Sequence, residues 1–289
     1  MLRLCVYLFF CVASFPVLAV DFYIQKPYDQ PNADYEVKLL RIALDHMPGQ
    51  HTITFVPISY SQGRAFRELA RGTAPINILY SGYSKEREAI TRMVYVPLTR
   101  GLLGNRMFII HEKDDALFKN ITHLEQLTNR ITVGVGTTRP EEIILPSAGF
   151  SIVRSPGNQL IPMFLRGRFT SLLYGLDEID LVYSDITNQQ TNRSTIINKD
   201  ILLSYKFDSF FFVQPGDDIR ANLVEEGLKR AYASGAFMEH FRNFPPIQVG
   251  LSLFDTHKPK VFKIVNPDLS TAVKNIPANY WHDFDTTYD

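Results

Sequence analysis

The feature that most constrains this chain is an alternation of short apolar runs with helical patterns, which stops and restarts near residue 115. "DFYIQK" (21–26), "HTITFVPIS" (51–59) and "INILYS" (76–81) have the length and the β-branched or aromatic content of strands. Between them, "DYEVKLLRIALDHM" (34–47) places Val37, Leu40, Ile42 and Leu44 near helical spacing and ends at "PG". "SQGRAFRELARG" (61–72) reads as a helix capped by Ser61 and closed by Gly72. "NRMFIIHE" (105–112) is a further strand. The pattern then begins again with "ITHLEQL" (121–127), the strand "ITVGVG" (131–136) and a helix opening at "TTRPEE". It continues through the strand "FSIVRS" (150–155), a helix around "QLIPMFLRGR" (159–168) and the strand "SLLYG" (171–175). "DILLSYKF" and "SFFFVQ" (200–214) read as strands, and "DDIRANLVEEGLKRAYASG" (217–235) is the longest amphipathic helix. Alternation broken once predicts two α/β lobes with sheets of the parallel type. The aromatic "SFFFVQP" would carry the chain back into the first lobe, giving a two-strand hinge and a ligand cleft between lobes.

The 289 residues are enough for one large or two medium domains. Thirty Lys and Arg balance thirty Asp and Glu, so the formal net charge is zero, which argues against nucleic acid or an anionic membrane as main partner. The N-terminal "MLRLCVYLFFCVASFPVLA" has one early cation, an apolar run, and Val17 and Ala19 at the small-residue positions of an export-signal cleavage site. The run is short for a bilayer span and is broken by Pro16. Residues 1–19 are therefore expected to be a signal peptide cleaved near Ala19, with 20–110 and 210–289 forming lobe 1 and 111–209 forming lobe 2. Both cysteines, Cys5 and Cys11, fall within the signal, which leaves the exported chain without thiol chemistry.

Four stretches could carry chemistry. "SGYSKEREAI" (81–90) sets Arg87 between Glu86 and Glu88 just after a strand. It is either a solvated helix start or a loop that presents a cation to a ligand. Glu86 and Glu88 are expected to face solvent or cap the segment. "VGVGTTRPEE" (133–142) joins a strand end to a helix start whose unsatisfied N–H groups favour an anion, although Thr138 with Glu141 also fits a capping box. "YGLDEI" (174–179) puts Asp177 just past a strand, as a ligand-ammonium contact or a simple N-cap. Tyr28 and Tyr35, in "KPYDQPNADY", could wall a ligand or decorate a turn.

No catalytic set assembles: the seven histidines are scattered, no HxxxH or HExxH pair offers a metal site, and "GYS" at 82–84 is not the GxSxG elbow. No metal and no cofactor is expected. An exported hydrolase is disfavoured because no nucleophile, base and orienter can be named.

Taken in order, these stretches resemble the bacterial periplasmic solute-binding proteins of family 3, the amino-acid-binding class with the type II two-lobe fold. "INILYSGYSKEREAITRMVYVPLTRGLLGNRMFII" is similar to the family's strand, Ser/Thr residues, Glu-Arg pair, "Pro" strand and crossing strand. "ITVGVGTT" is similar to "VGVxxGTT", two residues shorter, and "FLRGRFTSLLYGLDEI" resembles "GRxDAxxxD" with Thr170 at the usual acidic position. "SFFFVQPGDDIRANLVEEGLKRAYASGAFMEHF" resembles the return strand and following helix. The C-terminal "VNPDLSTAVKNIPANYWHD" is similar to the "NPxL…W" segment of a proteobacterial subgroup.

The resemblance implies that Arg87 grips a ligand carboxylate as a planar fork, with Thr137 and Thr138 helping from the second lobe. It assigns the α-amino group to Asp177, with Asp185 in "VYSD" as the competing match. Ser81 and Gly82 would offer hydroxyl and backbone contacts, and Tyr28 and Tyr83 would form the wall. It further implies a monomeric, non-enzymatic periplasmic protein that closes on a small polar ligand, an amino acid or related carboxylate, for an ABC-type transporter with its membrane permease. The alternative is a sensor or accessory module of the same fold, working with a sensor protein and no dedicated transporter.

Overall fold

The chain passes twice between its two larger sheets, and the strands Ile78–Gly82 and Ser171–Gly175 end beside these crossings on glycine. The computed structural model describes residues 19–25, 33–189, 194–282 and 284. Tyr28 and all of the expected export signal except Ala19 lie outside these residues. The first group of elements is β1 (Asp21–Gln25), α1 (Ala33–Asp45), β2 (Thr52–Val56), α2 (Gln62–Arg71), β3 (Ile78–Gly82), α3 (Lys85–Ile90) and β4 (Arg92–Met93). β1 pairs with β2 in parallel, and β1 is tied to the approach of β3 by Asn77, whose N–H bonds Tyr23 O at 2.9 Å. The amphipathic α2 buries Ala65, Phe66 and Leu69, and Gly72 closes it in the left-handed region at φ 68°. Ser61 occupies its N-cap position without a side-chain cap bond.

The second group runs β5 (Asn105–His111), α4 (Leu124–Thr128), β6 (Thr132–Gly136), α5 (Glu141–Ser147), β7 (Ser151–Ser155), α6 (Gly157–Leu165), β8 (Ser171–Gly175), α7 (Ile179–Asn188) and β9 (Thr195–Ser204). The chain then returns through β10 (Ser209–Val213) and α8 (Asp218–Ser234). It continues as α9 (Ala236–Asn243), α10 (Pro245–His257), β11 (Lys260–Lys263) and α11 (Thr271–Lys274). Two larger sheets result, one of order β3-β10-β4 and one of order β11-β9-β5-β8-β6-β7.

The six-stranded sheet is mixed and the three-stranded sheet is antiparallel, which corrects the expectation of parallel-type sheets. β10 is antiparallel to β3 and β4, and β5 is antiparallel to β8 and β9. The reason is directional. β3 and β8 end at the central cavity with Gly82 and the approach to Asp177, whereas β5 and β10 leave the crossings beside it with Arg106 and Ser209. Strands that enter a sheet from the crossing must run opposite to those that end there. β11 pairs with β9, so Lys260–Lys263 belongs to the six-stranded sheet even though it follows the return crossing.

The two crossings, Val94–Gly104 and Tyr205–Asp208, are stitched side by side. Asp208 is fully buried and accepts from Thr99 N at 3.1 Å, Thr99 Oγ1 at 2.8 Å, Ser209 N at 2.6 Å and Gly101 N. Burial nevertheless pushes its carboxyl up to about 6, against the pull of these donors. Tyr205 N bonds Gly104 O at 3.0 Å, and a Cβ on Gly104 would stand 2.2 Å from Tyr205 O, so only glycine permits this approach. The return strand "SFFFV" is buried along its whole length, with Phe212 edge-on to Phe66 at 5.0 Å. Each such ring contributes ~2–3 kcal/mol by leaving water.

Candidate functional site

Arg87 is made a cavity residue by what precedes it. β3 stops at Gly82, Ser84 caps α3 by accepting from Arg87 N at 3.2 Å, and the guanidinium is thereby turned inward with only 7% exposure. A side chain at Gly82 would meet the Phe207 ring at 2.7 Å, so glycine here lets the return crossing close on the strand end. Arg87 Nη1 donates to Ser81 Oγ at 3.0 Å and Gly82 O at 2.5 Å, and Nη2 donates to Gln62 Oε1 at 2.6 Å and Thr138 O at 3.3 Å. The guanidinium also lies 4.9 Å from the centre of the Phe66 ring. All these partners are neutral. Burial, followed by the nearby Arg139, lowers its pKa to about 10. It is a buried cation with no carboxylate bonded to it, and leaving such a charge unanswered is costly.

That guanidinium lines a cavity of about 170 Å³ between the sheets. Ser81, Gly82 and Gln62 share its wall; Arg139 stands at an exposed position on the rim. Tyr35, Phe244, Ile247, Leu103 and Phe207 supply apolar surface, and Tyr35 is fixed by its hydroxyl donating to Leu98 O at 2.8 Å. Arg106 and Glu141 line it too but answer each other at 2.5 Å, both buried. Arg106 is further held by Leu103 O at 2.8 Å and by the Tyr205 and Phe207 rings, 5.7 and 5.5 Å from its guanidinium carbon. This pair is complete and asks for no ligand.

The acidic wall differs. Asp177 follows β8, and Gly175 has no Cβ because one would stand 2.4 Å from Asp177 Oδ1. That Oδ1 is covered from solvent and has no hydrogen-bond partner. Burial first, then Glu178 and Asp208, raises the Asp177 carboxyl well above its ordinary range. Asp185 instead lies exposed on α7.

The sequence-derived residues therefore separate. Arg87, Ser81, Gly82 and Asp177 line one cavity. Thr137 and Thr138 do not: both are exposed, Thr137 N bonds Ser155 O at 2.8 Å, and Thr138, at φ 67°, meets Arg87 only through its carbonyl. α5 begins after Pro140 with no side-chain cap, so the Thr138–Glu141 capping box does not form and Glu141 serves Arg106 instead. Tyr83 turns away from the cavity. Its hydroxyl donates to Glu88 Oε2 at 2.8 Å and accepts from Ser270 N at 3.0 Å. Glu88, expected at the surface or as a cap, also takes the hydroxyls of Tyr95 and Ser270, each at 2.8 Å. Tyr28 lies outside the described residues. Sequence reasoning missed Glu36, Gln62, Glu178 and the Arg106–Glu141 pair. Only Arg106 left a signal, as a cation inside the apolar strand "NRMFIIH".

Among the described residues there is no group of three or more His, Cys, Asp or Glu side chains able to hold a metal, and no helix long and apolar enough to cross a membrane. No protein-family model and no curated protein matches the sequence. Solved structures do match. A protein described as a binding component of an ABC transporter, from Wolinella succinogenes and complexed with lysine, is 14% identical over 78% of this chain and 94% of its own, with TM-score 0.54. The Salmonella typhimurium periplasmic binding protein STM4351, solved for its high arginine specificity, is 10% identical over 78% and 98%, with TM-score 0.53. A histidine kinase sensor domain with similarity to periplasmic binding proteins is 15% identical over 78% and 94%, with TM-score 0.52. The chain has the α/β, two-lobe periplasmic-binding-protein fold. Its structural neighbours of this kind are binding proteins for small molecules.

Proposed function

We propose that this chain is an extracytoplasmic binding protein that closes its two lobes on a small zwitterionic ligand, an amino acid or a related carboxylate. One observation carries this reading: Arg87 is buried among neutral partners in the same cavity as the unpartnered Oδ1 of Asp177. A carboxylate would complete Arg87 as a charge-assisted fork, and an ammonium would complete Asp177. A carboxylate would take the place of Gln62 Oε1 and Thr138 O on Nη2, while Ser81 Oγ and the Gly82 carbonyl keep hold of Nη1 and orient the guanidinium. The Arg106–Glu141 pair, already complete, stays outside this grip. Export through residues 1–19, a monomeric state and delivery to the permease of an ABC-type transporter complete the reading.

A second reading has its own support. The likeness to a histidine kinase sensor domain fits a module whose closure reports ligand to a sensor protein, with no transport. The test common to both is thermal-shift screening of the chain from Val20 onward against the twenty amino acids and small organic acids, followed by calorimetry. A midpoint raised by an α-amino acid and not by its amide supports the proposal. Binding of uncharged sugars with no response to any amino or organic acid overturns it.

A further inference from the structure

Two carboxylates, not one, line the cavity with an oxygen that is covered from solvent and bonds nothing. Glu36 lies in the first turn of α1, beside Tyr35, while Asp177 comes from the turn between β8 and α7. Each residue shows part of its surface to the cavity, yet Glu36 Oε2 and Asp177 Oδ1 are covered from solvent and bond nothing. Neither forms an ion pair among the described residues, and neither does Glu178, which also lines the cavity.

The charges do not balance for a simple zwitterion. Setting aside the Arg106–Glu141 pair, the wall keeps Arg87 and the rim Arg139 against Glu36, Asp177 and Glu178. A ligand carboxylate answers Arg87, and one α-ammonium answers one carboxylate. A second carboxylate would then be sealed under the closed lobes with no counter-charge, which is costly. Tyr35, Phe244 and Ile247 lie on the same wall as Glu36, with the Tyr35 and Phe244 rings 5.0 Å apart. They offer apolar surface to a short methylene stem.

We propose that Glu36, with Asp177, forms a second cation subsite, so that the preferred ligand is an amino acid carrying two cationic nitrogens, a diamino or guanidino carboxylate. This rests on the amino-acid reading given above and narrows it to one substrate class. Glu36 is the specificity-determining residue: its carboxylate meets the distal cation and Asp177 the α-ammonium. The empty site fits this use. Burial raises both carboxyls above their ordinary range, Glu36 to about 8, and a cation placed between them would offset that cost.

The experiment is calorimetry at pH 7.5 with three probes: L-lysine, L-norleucine, which keeps the chain but lacks the distal ammonium, and 1,5-diaminopentane, which lacks the carboxylate. Lysine is expected to bind at least tenfold more tightly than norleucine. Glu36→Gln is expected to lower lysine affinity at least tenfold and to leave norleucine within threefold. Equal affinities for lysine and norleucine in the native protein overturn the subsite whether or not the variant folds, and leave the amino-acid reading standing. Binding of 1,5-diaminopentane with no response to any amino acid sustains the subsite and removes the carboxylate grip. A protein that binds none of the three probes overturns the subsite, and the panel of twenty amino acids and organic acids then decides the amino-acid reading separately.

Discussion

Replacing Arg87 by Met separates a binding role from a structural one, because the two make opposite demands. The guanidinium is 7% exposed, and burial with Arg139 nearby lowers its pKa from 12.5 to about 10. At roughly 1.4 kcal/mol per pKa unit, the empty site disfavours this cation by ~3 kcal/mol. Arg87→Met removes that cost. It also strips Gln62 Oε1, Ser81 Oγ and Gly82 O of a donor, at ~1 kcal/mol each. Ser81 keeps its bond from Gln62 Nε2 at 2.6 Å, which softens the loss. The terms nearly offset, so the ligand-free variant should melt within ~5 °C of the native protein at ~2–4 °C per kcal/mol. Carboxylate binding behaves differently. Loss of a desolvated charge-assisted fork costs ~2–5 kcal/mol, or ~30-fold to several thousandfold in Kd. Calorimetry and thermal melting on one preparation read both quantities. A variant that binds its amino acid within threefold of the native affinity refutes the grip, and a fall in midpoint beyond ~10 °C refutes the compensation.

Two further perturbations follow from the same geometry. The Glu36 carboxyl stands at about 8 when folded, raised from 4.5 chiefly by burial, with Asp208 and Glu178 adding to it. The folded state therefore binds this proton more tightly than the unfolded chain; the stabilisation is full below pH 4.5 and is lost as pH rises through 8. Glu36→Gln should gain up to ~5 kcal/mol on the native protein between pH 4.5 and 9, and midpoints that run parallel across that range contradict the assignment. At the crossings, Gly104→Ala would drive a methyl group against the Tyr205 carbonyl at 2.2 Å, where backbone and not a flexible side chain must yield. A loss of ~1–3 kcal/mol in urea unfolding is expected, and an unchanged midpoint would show that the two crossings can part at little cost.

How far the sequence disclosed this arrangement depends on whether the relevant contact is local. The strand–helix alternation and the aromatic return strand are period-2 and period-3.6 signals, and β3, α2, β6, β8 and α8 fall where those signals place them. Arg87 stood out because a cation directly after a strand end is a short-range pattern. Tyr83 misled for a short-range reason too: continued alternation would set it beside Ser81, but β3 ends at Gly82 and the tyrosine swings to Glu88 and Ser270. Glu36 was invisible, since an acidic residue in the first turn of an amphipathic helix is ordinarily a solvated dipole partner. Its burial depends on Phe244, Ile247 and the crossing at Asp208, all far away in sequence. β11 was equally hidden, because "KVFK" gains its place only from pairing with β9 some sixty residues earlier.

The placement of charge also indicates what ligand binding must move. Arg87, Ser81 and Glu36 come from the elements around β3 and α1, whereas Asp177 and Glu178 follow β8 of the six-stranded sheet. Under the proposed amino-acid reading, neither sheet alone answers both ends of a zwitterion, so the ligand's differential affinity for a closed form would supply the work of closure. The crossings limit how that work is used. Asp208 binds Thr99 and Gly101 of the first crossing from the end of the second, and Tyr205 is paired to Gly104, so the two segments turn as one unit. The C-terminal segment adds a third link between the lobes: after β11 in the six-stranded sheet it runs to Tyr83 and Glu88 through Ser270, and to Arg100 through the Trp281 carbonyl at 3.0 Å. Phe207 and Ser209, at the second crossing, also line the cavity, so a change at the ligand wall is transmitted directly to the paired crossings.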